Sequence, residues 1–175
     1  MAIRTILTQG DPALNKVCHP VTKFDGKLAD LLDDLRETLE EAGGVGLAAP
    51  QVGILRRAVI VVPDPEKDDM IELVNPEIVA QEGEEDGLEG CLSIPGMWGY
   101  VKRPTWVRVR AQDREGGWFE TEGAGMAARC FCHELEHLEG HMYDEHVDRL
   151  YTSEEMDAIL SEEENQGKRR RRRKR

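Results

Sequence analysis

The chain has 175 residues, of which 39% are apolar and 33% are charged. This length suffices for one domain with a hydrophobic core but hardly for two. No apolar run approaches the ~20 residues that cross a bilayer, and the amino terminus lacks the segments of a secretory signal. The sequence therefore predicts a cytoplasmic protein without a membrane span, in which the four cysteines favour metal binding or catalysis over disulfides.

The formal net charge of −12 is distributed unevenly along the chain. All eight residues from Lys168 to Arg175 are basic, and the remaining 15 basic residues oppose 35 acidic ones, a formal charge of −20 for residues 1–167. An acidic body repels nucleic acid, whereas the basic run would attract it. We therefore divide the chain into a domain at 1–165 and a basic, disordered tail at 166–175.

The pattern of apolar residues predicts helices near the two ends and strands between them. A short edge strand is expected at Ile3 to Leu7, followed by a helix of about four turns between Phe24 and Gly43. Strands are then expected at 58–62, 71–74, 77–81, 106–112 and 117–122, before a second long helix from Ala124 to Leu138. A capping-box pattern at 152–155 opens a short third helix. This order favours an α+β fold in which antiparallel or mixed strands pack around the second long helix.

The second long helix contains His133, Glu134 and His137, an H-E-x-x-H motif. Residues four apart lie on one face of an α-helix, so both imidazoles can bind one metal ion with Glu134 beside it as a general base. Because both sides of this helix are apolar, we expect it inside the domain, where buried histidines need partners for their nitrogens. The pattern predicts a metal-activated water and a hydrolysis reaction.

A catalytic metal of this kind needs a third protein ligand, and the residues alone leave several candidates. Metzincin proteases have a histidine where this chain has Tyr143. His141, His146 and Cys130 lie near the motif in the sequence. Cys91 lies far upstream, in a glycine-containing segment that favours an exposed backbone bend over a core position.

A second unusual segment runs from Gly44 to Gln51 and superficially matches the dinucleotide fingerprint G-x-G-x-x-G/A. That fingerprint requires a strand before it and a helix after it. Here a helix precedes the segment and Pro50 interrupts it, so we reject nucleotide binding. What remains is a loop of small residues whose backbone can approach a ligand closely, and which ends in an amide side chain.

Three segments in this order resemble the motifs of the peptide deformylase family. The motif G-x-G-x-A-A-x-Q is matched by Gly44 to Gln51, and E-G-C-L-S is matched by Glu89 to Ser93. The motif H-E-x-D-H is matched by His133, Glu134 and His137. The resemblance covers most of residues 1–150 and implies that 1–165 is a deformylase-like catalytic domain.

The resemblance implies a hydrolase of protein biosynthesis that acts on the formyl-methionine of nascent polypeptides and produces formate and a free amino terminus. It implies a metal held by Cys91, His133 and His137. The metal would be Fe²⁺ in the cell, with zinc, nickel or cobalt also accepted. Metal-bound water would attack the formyl carbon while Glu134 serves as general acid and base.

The resemblance also assigns roles to backbone groups and to one amide. The Gln51 side chain and the Leu92 N–H would stabilise charge that develops on the formyl oxygen. The backbone of Gly90 and of three consecutive residues would pair with the extended peptide, a binding mode that tolerates many sequences. Those three residues are Val45, Gly46 and Leu47.

The sequence departs from the family pattern at three positions of the second long helix. Glu136 stands where the family usually has Asp, and Cys132 replaces a Gln common before the first histidine. Arg129 lies where an apolar residue often lines the methionine pocket. None of these changes removes a ligand or the base, so we keep catalytic activity as the prediction.

Two alternatives to the deformylase remain at this point: a zincin-type peptidase that uses His141 or His146, and a non-catalytic homologue that binds the ribosome or RNA. For the run from Lys168 to Arg175, we weigh a solvated, disordered segment against contact with ribosomal RNA near the nascent chain. We expect the protein to be a monomer.

Overall fold

Five strands form the larger sheet of the structure, a computed structural model that describes residues 2–67 and 69–173. They are β1 (Gly46–Ala48), β2 (Ala58–Val61), β3 (Ile71–Glu82), β6 (Trp106–Gln112) and β7 (Trp118–Ala124), in the spatial order β1-β2-β3-β6-β7. The smaller sheet consists of β4 (Glu85–Cys91), β5 (Ile94–Arg103) and β8 (Tyr151–Thr152), in that order. Neighbouring strands are antiparallel in both sheets. The predicted α+β class is confirmed.

Two helices cover the two faces of the larger sheet. The helix α1 (Gly26–Ala42) packs in one apolar cluster with Ala58 and Ile60, while α2 (Met126–Leu138) packs in another with Val59 and Val61. Successive side chains of a strand point to opposite faces of a sheet, so β2 is buried on both sides. This double burial explains the continuous apolar run of β2.

Both long helices lie where the sequence predicts them. Asp25 accepts a hydrogen bond from the N–H of Leu28 at the start of α1, and Gly43, with a left-handed φ of 68°, ends it. In α2, nine of 13 residues are buried. The prediction that the motif-bearing helix lies at the centre of the domain is confirmed.

The expected edge strand at Ile3 to Leu7 is wrong. The segment is extended, but its backbone forms hydrogen bonds with residues that do not belong to a neighbouring strand. The N–H of Arg4 donates to Thr38 Oγ1 of α1 at 2.9 Å, and the N–H of Leu7 donates to the carbonyl of Gln51 at 2.7 Å.

The strands β4 and β5 have no counterpart in the prediction, because glycines interrupt their apolar pattern. Two of these glycines make close contacts. A Cβ at Gly87 would lie 2.6 Å from Cζ of Arg129, and a Cβ at Gly90 would lie 2.6 Å from the Trp98 ring. The two strands expected at 71–74 and 77–81 are instead one strand, β3, whose register shifts near Asn75.

The third helix, α3 (Ser153–Arg173), is longer than the short helix predicted, and it replaces the disordered tail as far as Arg173. Lysine and arginine favour helix, and Lys168 Nζ lies 4.0 Å from Glu164 Oε2 one turn earlier. Met156 is the one buried residue of α3. Lys174 and Arg175 lie outside the described residues. Within the described ranges, no helix is both long and apolar enough to span a membrane.

Candidate functional site

A cavity of about 510 Å³ lies between the two sheets, beside α2. The segment Gly44–Gly46 forms one side, and β4 with the following turn forms the other. Both β1 and β4 are edge strands, so each has one side along which no other described strand forms hydrogen bonds. An extended chain between these edges could form main-chain hydrogen bonds with both.

Three potential metal ligands converge at this cavity. His133 and His137 lie one turn apart on α2, and Cys91 is the last residue of β4. Their ligand atoms all lie within 4.8 Å of one another, and Cys91 Sγ is 3.5 Å from His137 Nε2. Among residues 2–67 and 69–173, this is the one such group of three.

The donor set fits a divalent metal ion. Metal–sulfur bonds of ~2.3 Å and metal–nitrogen bonds of ~2.0–2.1 Å place tetrahedral ligand atoms about 3.5 Å apart. Cys91 Sγ and His137 Nε2 already have that separation. Three protein ligands leave a fourth position for water or substrate, as in catalytic sites.

Glu89 and Arg103 hold the His133 ring in position through its Nδ1 side. Glu89 Oε1 is 2.8 Å from His133 Nδ1, and Arg103 donates to both carboxylate oxygens at 2.9 and 3.0 Å. Burial would raise the pKa of Glu89, but hydrogen bonds from His133 and Arg103 lower it to about 2. The Glu89 anion therefore holds the Nδ1 proton of His133 and leaves Nε2 for the metal.

The two imidazoles differ in protonation. Burial would lower the pKa of His133, but hydrogen bonds to Cys91 and Glu89 raise it to about 10. Burial and the positive charge of His133 lower the pKa of His137 well below its ordinary value. Because metal ligands must be deprotonated at the coordinating atom, metal binding at His133 would release a proton.

Glu134 is a buried carboxyl group in the cavity wall. Its side chain lies against Gly46, where a Cβ would overlap Oε1 and come within 2.7 Å of Cγ. Its Oε2 has no hydrogen-bond partner within the described part of the chain. Burial raises the pKa of Glu134 to about 7, so the group can accept and release a proton near neutral pH.

Gln51 and Leu92 line the cavity next to Cys91. Gln51 Oε1 accepts from the N–H of Ala48 at 2.9 Å, and Nε2 donates to Ser93 Oγ at 3.1 Å and lies 3.6 Å from Cys91 Sγ. The amide is therefore fixed in orientation. Leu92 lies in the turn between β4 and β5.

The four residues predicted to bind the peptide backbone lie on both sides of the cavity. Val45 and Gly46 line one side and Gly90 lines the other. Leu47 follows in β1 with its side chain fully buried, so only its backbone could take part. The Val45 carbonyl already accepts a hydrogen bond from the N–H of Val62 at 2.8 Å.

The other candidate ligands lie outside the cluster. His141 and His146 are exposed and contact Glu145 and Glu136 at 2.9 and 3.0 Å. Cys130 lines the cavity, but its thiol donates to the Val45 carbonyl at 3.3 Å. Tyr143, at the metzincin ligand position, packs beside His133 with ring centroids 5.7 Å apart.

Two of the three departures from the family pattern contact the Glu89–Arg103 pair. Arg129 lines the cavity and donates to Glu89 Oε2 at 2.9 Å and to the Val101 carbonyl at 2.6 Å. Glu136 accepts from Arg103 at 2.6 Å. Cys132 is buried, which raises its pKa to about 11.

The sequence alone indicates no role for the Glu89 carboxylate or for Arg103. A metal-binding histidine usually donates its second N–H to a carboxylate, so Glu89, two residues before Cys91, could have been proposed as that partner. Arg103 had no comparable signal, because its contact with Glu89 depends on the pairing of β4 with β5.

Known proteins resemble this chain in sequence and structure. The profile of the polypeptide deformylase family matches residues 3–153. The peptide deformylase of Agathobacter rectalis is 50% identical over 148 residues, which are 85% of this chain and 92% of the relative. A peptide deformylase structure from Legionella pneumophila has a TM-score of 0.80 and 36% identity, covering 99% of both chains. One from Thermotoga maritima has a TM-score of 0.81 and 36% identity, covering 85% of this chain and all of the other. The chain therefore belongs to the polypeptide deformylase family, metal-dependent hydrolases that remove the N-formyl group from polypeptides.

Proposed function

We propose that this enzyme removes the formyl group from the formyl-methionine of nascent polypeptides through the residues that meet at the cavity. The observation that carries the proposal is the convergence of Cys91, His133 and His137 beside the buried carboxyl group of Glu134. These groups lie between two open strand edges that an extended peptide could join.

We infer that Cys91, His133 and His137 hold Fe²⁺, and one thiolate with two imidazoles is also compatible with zinc, nickel or cobalt. Bound there, the ion would act as a Lewis acid and lower the pKa of water to about 7. The hydrogen bond from His133 to Glu89 fixes the ring and increases its basicity as a ligand.

In this proposal Glu134 moves the proton. Its Oε2 accepts a proton from the water that attacks the formyl carbon. The same carboxyl group then donates the proton to the nitrogen of the breaking C–N bond, so that formate and a free amine leave. The contact with Gly46 keeps the carboxyl group on the side of the cavity where the peptide would lie.

Gln51 Nε2 and the Leu92 N–H are the proposed donors to the formyl oxygen. Nε2 donates one hydrogen to Ser93 Oγ and the other to Cys91 Sγ at 3.6 Å, and the formyl oxygen would take the place of the sulfur as acceptor. Because Ala48 fixes the amide oxygen, the donor needs little reorganisation during the reaction. Removing such a donor typically slows a reaction by about 10²–10³-fold.

The peptide is proposed to lie as an added strand between β1 and β4. The backbone of Val45, Gly46 and Leu47 would bind it from one side, and that of Gly90 would bind it from the other. Main-chain hydrogen bonds are tolerant of sequence, which suits an enzyme that acts on many nascent chains.

Product analysis tests this function. We expect formate from a formyl-Met-Ala-Ser peptide and no cleavage of an unformylated polypeptide. A zincin-type peptidase would give the reverse. A non-catalytic RNA-binding homologue would leave every measured activity unchanged after Glu134→Ala.

We further propose that the protein is a cytoplasmic monomer whose basic segment, Lys168 to Arg175, contacts ribosomal RNA. Cytoplasmic location is supported by the four free cysteines and by a substrate that exists only during protein synthesis. Phosphate contacts of this kind weaken steeply as the salt concentration rises.

A further inference from the structure

Trp98 is a large apolar side chain on the cavity wall that none of the proposed chemical steps uses. It belongs to β5 and is 38% exposed. Its ring lies across Gly90, where a Cβ would come within 2.6 Å of the ring. Met97 and Leu88 also line the cavity. An exposed indole in such a wall can bind an apolar group of a ligand.

The carboxy-terminal helix holds this indole in place. Trp98 Nε1 donates to Oγ of Ser153, the first residue of α3, at 3.2 Å. The backbone at Trp98 is held by β8, the strand just before α3, since Trp98 pairs with Tyr151 and Met97 pairs with Thr152. The helix therefore joins the body at the strand that forms this cavity wall.

A purely structural role fits Trp98 poorly. Met156 is the one buried residue of α3, so the helix shares little core with the body. A tryptophan that only anchored the helix would bury its ring under it, but this ring lies against Gly90 and the cavity. Its polar end faces α3 and its apolar surface faces the proposed path of the peptide.

We propose that Trp98 binds the side chain of a residue downstream of the formyl-methionine and favours aromatic residues there, and that Ser153 positions the indole for this contact. The proposal rests on the proposed deformylase function. If the peptide pairs with the backbone of Gly90, side chains beyond the formylated residue pass over the ring that covers this glycine. Trp98 is then a specificity-determining residue, and Ser153 is a positioning residue.

Three peptides test the contact: formyl-Met-Ala-Ala-Ala, formyl-Met-Phe-Ala-Ala and formyl-Met-Ala-Phe-Ala. For the full-length, metal-loaded enzyme, we expect KM to be about 5-fold lower for one of the phenylalanine peptides than for the alanine peptide. A ratio of this size corresponds to the binding free energy that a favourable pair of aromatic rings contributes. Trp98→Ala should remove this preference. Trp118→Ala is the matched control, since Trp118 is an exposed tryptophan on β7 outside the cavity, and it should keep the preference.

Two conservative variants test the role of α3. Trp98→Phe keeps an aromatic face but cannot donate to Ser153, and Ser153→Ala keeps the indole but removes its acceptor. Both should weaken the preference to about 2-fold through KM. Equal KM values for all three peptides in the wild type, or a preference that survives Trp98→Ala, would overturn the contact, and a full preference in Ser153→Ala would overturn the positioning role. If the wild type releases no formate from any of the peptides, the deformylase function itself fails.

Discussion

At Gly46 the structure leaves no room for a side chain, because a Cβ there would overlap Glu134 Oε1. We predict that Gly46→Ala lowers kcat/KM for formate release about 10²-fold by displacing the carboxyl group, although no functional group is removed. The metal content should stay at the wild-type level. Gly26→Ala is the control, since nothing lies within 4 Å of a Cβ at that position. Wild-type activity in Gly46→Ala would show that the reaction does not need Glu134 where the structure has it.

Cys91 is expected to differ from the other cysteines in its effect on the metal. Cys91→Ser replaces a thiolate by a neutral hydroxyl, so we predict at least a tenfold loss of metal affinity together with loss of formate release. Cys132→Ser, a change on the same helix as the histidines but outside the donor group, should keep about one metal ion per chain. The comparison is made by elemental analysis after dialysis, and equal metal contents would exclude Cys91 as a ligand.

At the scale of elements, a carboxylate in β3 joins α1 to the turn between β6 and β7. Glu72 accepts from Arg36 of α1 at 2.7 Å and from Arg114 of the turn at 3.0 Å. Burial would raise the pKa of Glu72, but the hydrogen bonds from Arg114 and Arg36 outweigh burial and lower the pKa from its ordinary value. A lowered folded-state pKa stabilises the fold at pH values above the unfolded-state pKa.

We therefore predict that Glu72→Gln lowers the free energy of unfolding by about 1–2 kcal/mol at pH 7. The difference from the wild type should shrink as the pH falls below the unfolded-state pKa of a glutamate, and it should vanish below the lowered pKa of Glu72 in the fold, where the carboxyl group is protonated in both states. Urea unfolding at pH 7 and pH 3 measures both quantities. Glu122→Gln, which removes an exposed partner of Arg108, should cost less than about 0.5 kcal/mol. A difference that does not change with pH would contradict this account of Glu72.

The long helices and β2 were predictable because their apolar periodicity reflects burial that the sequence shows directly. The strands β4 and β5 were not predictable. Their Gly87 and Gly90 leave room for the side chains of Arg129 and Trp98, and these contacts form only in the folded chain. The same limit applies to the site. Helical spacing alone pairs His133 with His137, but the approach of Cys91 depends on where β4 ends relative to α2. Without the family resemblance, the sequence is compatible with four candidates for the third ligand.

At the scale of the whole molecule, the charge of α3 changes from acidic to basic along its length. Its first turn contains Glu154 and Glu155, and its last turn is built from arginines. The first part of the helix contacts the body through Ser153 and Met156, whereas residues 160–173 are all exposed. The basic part can therefore bind a partner without disturbing the cavity.

We predict that truncation after Gly167 leaves formate release from short formyl peptides within about 2-fold of the wild type. Co-sedimentation with ribosomes should weaken, and its dependence on salt should become shallower because phosphate contacts are lost. The full chain, assayed in parallel at several salt concentrations, is the control. Unchanged, salt-sensitive co-sedimentation after truncation would exclude the basic segment as the ribosome contact.

The most direct test of the proposed reaction is to measure formate release by protein that has been purified without oxygen and whose metal content has been determined. We predict about one iron ion per chain and one formate for each formyl-Met-Ala-Ser peptide consumed, with an intact Met-Ala-Ser product. Chelation should abolish formate release, and so should Glu134→Ala while the metal remains bound. Peptide-bond cleavage without formate, or undiminished formate release by Glu134→Ala, would contradict the proposal.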